Sequence, residues 1–222
     1  MRRCIRACLA LSVCLILLSV SAAHAAYSDV MPGSWYEAAV TQMAQEGILT
    51  GYPDGTFRPG QPVTAAEFVT IAARAAGLPP VQAQGGHWAA GRIQAALQAG
   101  WYDWDELPPT GEQFDQPITR QLAVKILKRA LLPDIRGDYA AQSAKISDFS
   151  ALDGRYYEPV LAAYACGVVK GRPDGAFRPT DNLSRAEACT LFLNVRTLPS
   201  ASAQPAPELP FPQPVQARRG GV

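Results

Sequence analysis

The chain has 222 residues, of which 48% are hydrophobic and 18% are charged, and its formal net charge is +1. A balance this close to neutrality gives no electrostatic case for nucleic acid as a partner. The length is sufficient for one domain with a substantial hydrophobic core.

The first 25 residues have the pattern of a secretory signal peptide. Arg2, Arg3 and Arg6 precede an apolar segment at 9–20, and residues 23–25 (AHA) form a small-x-small cleavage site. Cleavage there leaves 17 basic against 19 acidic side chains. The competing interpretation is an uncleaved membrane anchor, but the apolar segment is short for a bilayer span. We therefore expect a secreted protein with no membrane span after cleavage.

Two nine-residue segments are almost identical, since residues 51–59 read GYPDGTFRP and residues 171–179 read GRPDGAFRP. A weaker third copy lies between them, where residues 118–122 align with 63–67. Self-similarity of this kind is typical of repeat architectures. The predicted organisation is a signal peptide at 1–25, a first repeat at 26–80, a diverged second repeat at 81–137, a third repeat at 138–197, and a disordered proline-rich tail at 198–222.

Each repeat is predicted to form a helix, a loop and a second helix. In the first repeat, apolar residues recur at three- and four-residue steps from Trp35, and Gly47 is a candidate end of that helix. Trp88 and Gly100 have the same twelve-residue spacing in the second repeat. The six predicted core helices are Trp35–Gln45, Thr64–Ala76, Trp88–Ala99, Thr119–Leu131, Tyr156–Ala165 and Ser184–Arg196.

The second helix of each repeat begins with a capping signal. Thr64 and Glu67 have the spacing of a capping box, and the third repeat has the same pair beginning at Ser184. In the middle repeat Thr119 is predicted to keep the cap, whereas Leu122 replaces the glutamate.

The middle repeat also replaces the glycine–aspartate loop with residues 101–114, which contain tryptophan and several carboxylates. Such a loop could bind calcium or sugar, but its spacing fits no known calcium loop. A solvated, diverged loop is the favoured interpretation. The carboxylates in and beside the loop are Asp103, Asp105, Glu106, Glu112 and Asp115.

After cleavage the only cysteines are Cys166 and Cys189, both in the third repeat. They could form a disulfide between packed helices or remain two buried free thiols. No zinc spacing is present, and no metal or cofactor is predicted.

Arg120 and Arg185 directly follow their helix caps, where the helix dipole disfavours a cation. One explanation is pairing with a carboxylate of a neighbouring repeat, such as Asp54 or Asp174. The other is an anion site in which the arginine and free backbone amides face one ligand. The residues alone leave both open.

The motifs resemble the S-layer homology (SLH) repeat. The resemblance lies in SDV at 28–30, WY at 35–36, residues 51–59, PVTAAEF at 62–68, and, in the third repeat, KISDF at 145–149 with SRAE at 184–187. It implies an all-α fold in which three helix–loop–helix repeats form a pseudo-threefold spindle. It also implies grooves between repeats that bind an anionic, typically pyruvylated, secondary cell-wall polysaccharide.

The arginine of a Thr-Arg-Ala-Glu motif is a principal ligand contact in that family. Arg185 lies in a good copy of the motif and Arg120 in a partial one, whereas Ala65 replaces the arginine in the first repeat. Replacing Arg185 is expected to weaken wall binding with little change in melting temperature. The ligand-binding residues implied by the resemblance are Arg185, Arg120, Asp148, Gly171, Asp29, Trp35 and Gly51.

The leading functional hypothesis is a non-covalent anchoring module at the cell surface that binds cell-wall polysaccharide and has no catalytic residues. The alternative is an envelope scaffold whose diverged repeats contact other envelope proteins. A wall hydrolase using Asp103 and Asp105 is the third hypothesis, but nothing in the sequence places such a pair across a cleft.

Overall fold

The computed structural model describes residues 27–83, 86–108, 111–132 and 137–198. The predicted signal peptide, and the predicted tail beyond Leu198, lie outside these ranges. Within them the protein is all-α, with no β-strand longer than an isolated bridge. The described helices are α1 (Glu37–Gln45), α2 (Ala65–Ala75), α3 (Ala90–Gln98), α4 (Gly111–Phe114), α5 (Arg120–Leu131), α6 (Tyr139–Ser143), α7 (Tyr157–Ala165) and α8 (Arg185–Arg196).

All six predicted core helices are present, as α1, α2, α3, α5, α7 and α8, with ends within two residues of the prediction. Helices α4 and α6 were not predicted, because four or five residues are too few to show a helical period. Two 3₁₀ turns, Phe149–Ala151 and Gly154–Tyr156, lead into α7.

The capping boxes of α2 and α8 are confirmed. The Thr64 hydroxyl accepts a bond from the Glu67 amide at 3.2 Å, and the Glu67 carboxylate accepts one from the Thr64 amide at 3.0 Å. Ser184 starts the same arrangement in α8. The prediction for Thr119 is wrong: its backbone has the extended cap conformation, but its side chain caps no amide. Leu122 lacks the carboxylate that would complete a box there.

A ring of backbone hydrogen bonds joins the segments that precede α2, α5 and α8. The Val63 amide donates to the Leu183 carbonyl, the Leu183 amide to the Ile118 carbonyl, and the Ile118 amide to the Val63 carbonyl, at 2.9, 3.0 and 3.0 Å. All three side chains are buried. Each segment therefore donates to one neighbour and accepts from the other.

The helices pack in the same cyclic order. Helix α3 packs on α2, α7 on α5, and α1 on α8. The first helix of each repeat region thus lies against the second helix of the preceding one. None of the helices in the described ranges is long and apolar enough to cross a membrane.

Residues 101–107 of the middle repeat are packed into the protein rather than solvated. The side chains of Trp101, Tyr102 and Leu107 are buried, although Trp104 is 60% exposed. The expectation of a solvated loop is therefore wrong for its apolar residues. The reason is that these large apolar groups belong to the hydrophobic core, where the Tyr102 hydroxyl donates to the Ile93 carbonyl at 2.9 Å, a contact that single-sequence patterns do not reveal.

Cys166 and Cys189 are both free thiols, so the structure favours the second of the two alternatives. Cys189 is buried in α8, whereas Cys166 is partly exposed at the end of α7. Burial raises the pKa of the Cys189 thiol to about 12.

Candidate functional site

The two nearly identical loops are held by aspartates that lie upstream in the sequence. The Asp29 carboxylate accepts hydrogen bonds from the amides of Phe57 and Arg58, each at 2.7 Å. These bonds hold Arg58 in the left-handed region at φ +59°, which is uncommon for a residue other than glycine. Asp148 makes the same pair of 2.7 Å bonds in the third repeat. Both aspartates thus have an internal structural role, and their contact with a ligand stays a prediction.

The loop glycines are required by close packing. The Gly51 amide donates to the Tyr27 hydroxyl at 3.0 Å, and a Cβ there would collide with the Tyr27 ring. Gly171 has φ +74°, and a Cβ there would lie 2.9 Å from the Tyr164 hydroxyl. A tyrosine ring therefore covers each glycine, although the two tyrosines come from different positions in the repeat.

Arg185 reaches from the third repeat into the first. Its guanidinium donates to the Phe57 carbonyl at 2.9 Å, the Glu67 carboxylate at 2.8 Å and the Thr50 carbonyl at 3.2 Å. It lies 4.9 Å from the centre of the Tyr52 ring, and the residue is only 4% exposed. Arg185 is therefore a contact between repeats, and the expectation that its removal would leave stability unchanged does not agree with this burial.

Arg120 makes the corresponding contact from the second repeat into the third. It donates to the Phe177 carbonyl at 2.8 Å and to the Glu187 carboxylate at 3.1 Å. Burial lowers its pKa, with Glu187 acting in the opposite direction, but an arginine remains charged at neutral pH. Arg172 is 3.5 Å from the same carboxylate. The proposed partners Asp54 and Asp174 are wrong, because each pairs instead with the arginine four residues later in its own loop.

A cavity of about 180 Å³ opens beside Arg185 and Gly51. Arg74 and Trp88 also line it, and Trp88 is 63% exposed. Thr70 lines the cavity too, and its buried hydroxyl has no hydrogen-bond partner. Native proteins rarely leave such a group unpaired, so it marks a position where a ligand or water can bind.

The corresponding region around Arg120 contains two further buried polar atoms without a partner, the Tyr164 hydroxyl and the Arg172 Nε. The Tyr164 hydroxyl packs against Gly171, and Arg172 is the next residue in the chain. Burial raises the pKa of Tyr164 to about 12, so its hydroxyl remains a donor at neutral pH.

The structure brings most of the predicted site residues together in two groups. Asp29, Gly51 and Arg185 surround the first loop, whereas Asp148, Gly171 and Arg120 surround the third-repeat loop. Trp35 is not among the residues that line the cavity; it is 64% exposed and lies edge-on against Tyr36.

Of the residues that line the cavity, only Gly51 and Arg185 were predicted as site residues, and those missed include Thr70, Arg74 and Trp88. The signal for Trp88 was present, because it occupies the same position before Gly100 as Trp35 does before Gly47. No local signal marks Thr70, since its role depends on an unfilled space.

The S-layer homology domain matches at residues 26–69 and again at 145–189. These two regions, 89 of the 222 residues, match the model of this family. They confirm the resemblance seen in the sequence, and they place the protein at the cell surface, as predicted.

Relatives align with most of the chain at modest identity. An endoglucanase of Bacillus sp. (strain KSM-635) is 28% identical over 182 residues, which cover 75% of this chain and 18% of the relative. The cellulosome-anchoring protein of Acetivibrio thermocellus is 29% identical over 166 residues, or 75% of this chain and 25% of the relative. Outer membrane protein SlpA of Thermus thermophilus is 44% identical over 50 residues, 22% of this chain and 6% of the relative.

The chain thus spans a quarter or less of the length of these relatives. An S-layer homology domain is a module that binds cell-wall polymers. In the larger relatives the region similar to this chain is only a part of a longer protein. The enzyme name of one relative therefore describes that whole protein and not the S-layer homology domains.

Proposed function

We propose that the protein is a non-covalent anchor that binds an anionic, pyruvylated polysaccharide of the cell wall without catalysis. The observation that supports this most directly is the cavity beside Arg185, where Arg74, Trp88 and the unpartnered Thr70 hydroxyl meet. Guanidinium groups bind carboxylates well, and an exposed aromatic ring offers a flat apolar face to a sugar. One of the relatives is, by its name, a cellulosome-anchoring protein.

We also propose that residues 81–137 are a third, diverged S-layer homology repeat, between repeats at 26–80 and 138–197. The cyclic bonding of Val63, Ile118 and Leu183 supports this, because the middle segment takes the same place in the ring as the other two. Three repeats so related form a pseudo-threefold spindle, with one groove at each junction.

Two of the three junctions are proposed to bind the polysaccharide. One holds Arg185 and Gly51, with Asp29 beneath the loop, and the other holds Arg120 and Gly171, with Asp148 beneath the loop. Trp88 borders the first groove. By the cyclic order of the helices, Trp35 is assigned to the second.

The hydrolase hypothesis has no support from the middle loop. Asp103 is bonded to Lys125 at 2.7 Å, and Asp105 is bonded to Arg155 at 2.7 Å. Each carboxylate thus pairs with a cation of the protein itself, whereas a glycosidase holds its two carboxylates across an open cleft.

Sedimentation with purified cell walls tests the proposal. The protein should pellet with intact walls, remain in the supernatant with walls stripped of their secondary polysaccharide, and be released by excess soluble polysaccharide. Equal pelleting with intact and stripped walls would refute a polysaccharide ligand. Failure to pellet with intact walls would favour the alternative of an envelope scaffold that contacts other proteins.

A further inference from the structure

The third junction, between the first and second repeats, has a different set of charges. Ala65 stands where the other repeats have Arg120 and Arg185, and Leu122 stands where they have a capping-box glutamate. Both are buried. The arginine and its carboxylate partner are therefore both absent at this junction. An acidic ligand would have no arginine to bind at this position.

Two other cations occupy this region. Lys125 lies six residues after the cap residue Thr119, the position held by Thr70 in the first repeat. Arg155 lies twelve residues before a glycine, the position held by Trp35 and Trp88. A cation has thus replaced a hydroxyl inside the groove, and another has replaced an aromatic ring at its edge.

The chain's own carboxylates bind both cations. The Lys125 ammonium is 2.7 Å from Asp103 and 2.7 Å from Glu106, and the side chains of Lys125 and Glu106 are 2% and 0% exposed. Arg155 is 2.7 Å from Asp105, in a bond that joins the third repeat to the loop of the second. The cation that corresponds in position to the unpartnered Thr70 hydroxyl is therefore fully paired.

We infer that the third groove is filled internally, with the carboxylates of residues 103–106 taking the place that an acidic saccharide takes in the other grooves. Lys125 and Arg155 are accordingly a latent anion site. Removal of the exposed loop carboxylates leaves Lys125 bonded to Glu106 and Arg155 bonded to Asp153, but it frees one bonding position on each cation. The class of ligand in this inference rests on the proposed function. The pairing of Lys125 and Arg155 with the loop carboxylates rests only on the distances between their atoms. It predicts two working grooves in the native protein.

The test is a double variant, Asp103→Asn with Asp105→Asn. Both side chains are more than 60% exposed, and Glu106 remains to pair with buried Lys125, so the fold should be retained. The matched control is Glu112→Gln with Asp115→Asn, which removes two negative charges from the same repeat but outside residues 101–107. Sodium glucuronate serves as the probe, and amide shifts of residues 101–107 serve as the readout by NMR titration.

We expect the loop variant to bind glucuronate about tenfold more tightly at these amides than the wild type or the control does. Equal affinity in the loop variant and the control would overturn the inference. If the double variant does not fold, Asp105→Asn alone removes the loop carboxylate from Arg155, which keeps its bonds to Asp153, and is judged by the same comparison. Wall sedimentation of the wild type is measured in parallel, so that failure of the proposed function is distinguished from failure of this inference.

Discussion

Glu67 and Glu187 each use one carboxylate for two contacts. One oxygen of Glu67 closes the capping box of α2, and the other accepts from Arg185 of the third repeat. A helix cap and a junction between repeats therefore depend on the same side chain. Losing both partners of such a pair can be nearly neutral, whereas losing one leaves a buried group unpaired. The joint presence of Ala65 and Leu122 at the third junction agrees with this rule.

The Arg185→Ala variant should lower the free energy of unfolding by about 3 to 5 kcal/mol, the usual cost of removing one partner of a buried ion pair. The carboxylate of Glu67 and the carbonyl oxygens of Phe57 and Thr50 would lose their donor. Denaturant unfolding measures the effect, with exposed Arg58→Ala as the control that should change little. A stability equal to wild type would show that these bonds carry little net energy.

Cys189 should react much more slowly than Cys166 with a disulfide reagent at neutral pH. Its thiol is buried and its pKa is raised to about 12, so almost no thiolate is present, whereas Cys166 is partly exposed. Comparing the reaction rates of the Cys166→Ser and Cys189→Ser variants in the native protein separates the two thiols. Equal rates would mean that α8 opens readily.

At the scale of elements, most of the secondary structure could be predicted from the sequence. The Thr64 and Ser184 caps, and the glycine that ends each first helix, are local signals, and the structure uses them locally. The contacts of the Arg185 side chain could not be predicted in the same way, because its partner Glu67 is 118 residues away in the sequence. The carboxylates that were expected to pair with the buried arginines, Asp54 and Asp174, instead form ion pairs within their own loops.

Thr64→Ala should lower the free energy of unfolding by about 1 kcal/mol, the usual cost of losing an N-cap side chain. Thr119→Ala is the matched control at the same position in the second repeat, and it should cost much less because its hydroxyl caps no amide. Denaturant unfolding of both variants gives the comparison. Equal losses would indicate that Thr119 forms its cap in solution.

The loop at residues 101–107 should give stability a specific pH dependence. The hydrogen bond from Lys125 is the largest cause that holds the pKa of Asp103 below its ordinary value of 3.8. A carboxyl whose pKa is lowered by folding stabilises the protein above its unfolded-state pKa, and this contribution is lost as the pH falls through the lowered value.

The stability difference between wild type and Asp103→Asn should therefore be largest near neutral pH and should shrink towards zero as the pH falls below the ordinary pKa. Unfolding curves for both proteins across this range make the measurement. A difference that does not change with pH would contradict a role for the Asp103 charge.

At the scale of the whole molecule, the ring formed by Val63, Ile118 and Leu183 brings three segments of different sequence into equivalent positions. Sequence similarity indicated the first and third repeats clearly, because their loops are almost identical. It could not show which charges meet where these segments join, since those places combine residues that are far apart in the sequence. Arg185 and Trp88, for example, come from different repeats and line one cavity.

The central claim is that the cavity beside Arg185 binds the wall polymer. A substitution of Trp88 tests this claim better than a substitution of the buried Arg185. Trp88 lines the cavity but is 63% exposed, so its removal should not affect folding. Trp104 is a matched control, since it is 60% exposed and does not line the cavity.

The decisive measurement is a binding isotherm on purified walls for wild type, Trp88→Ala and Trp104→Ala, after equal unfolding curves have been verified. Loss of a stacking contact worth about 1 kcal/mol or more should weaken the binding of Trp88→Ala about tenfold. Trp104→Ala should bind as the wild type does. Unchanged affinity of Trp88→Ala, or an equal loss in both variants, would contradict the assignment of this cavity as the ligand site.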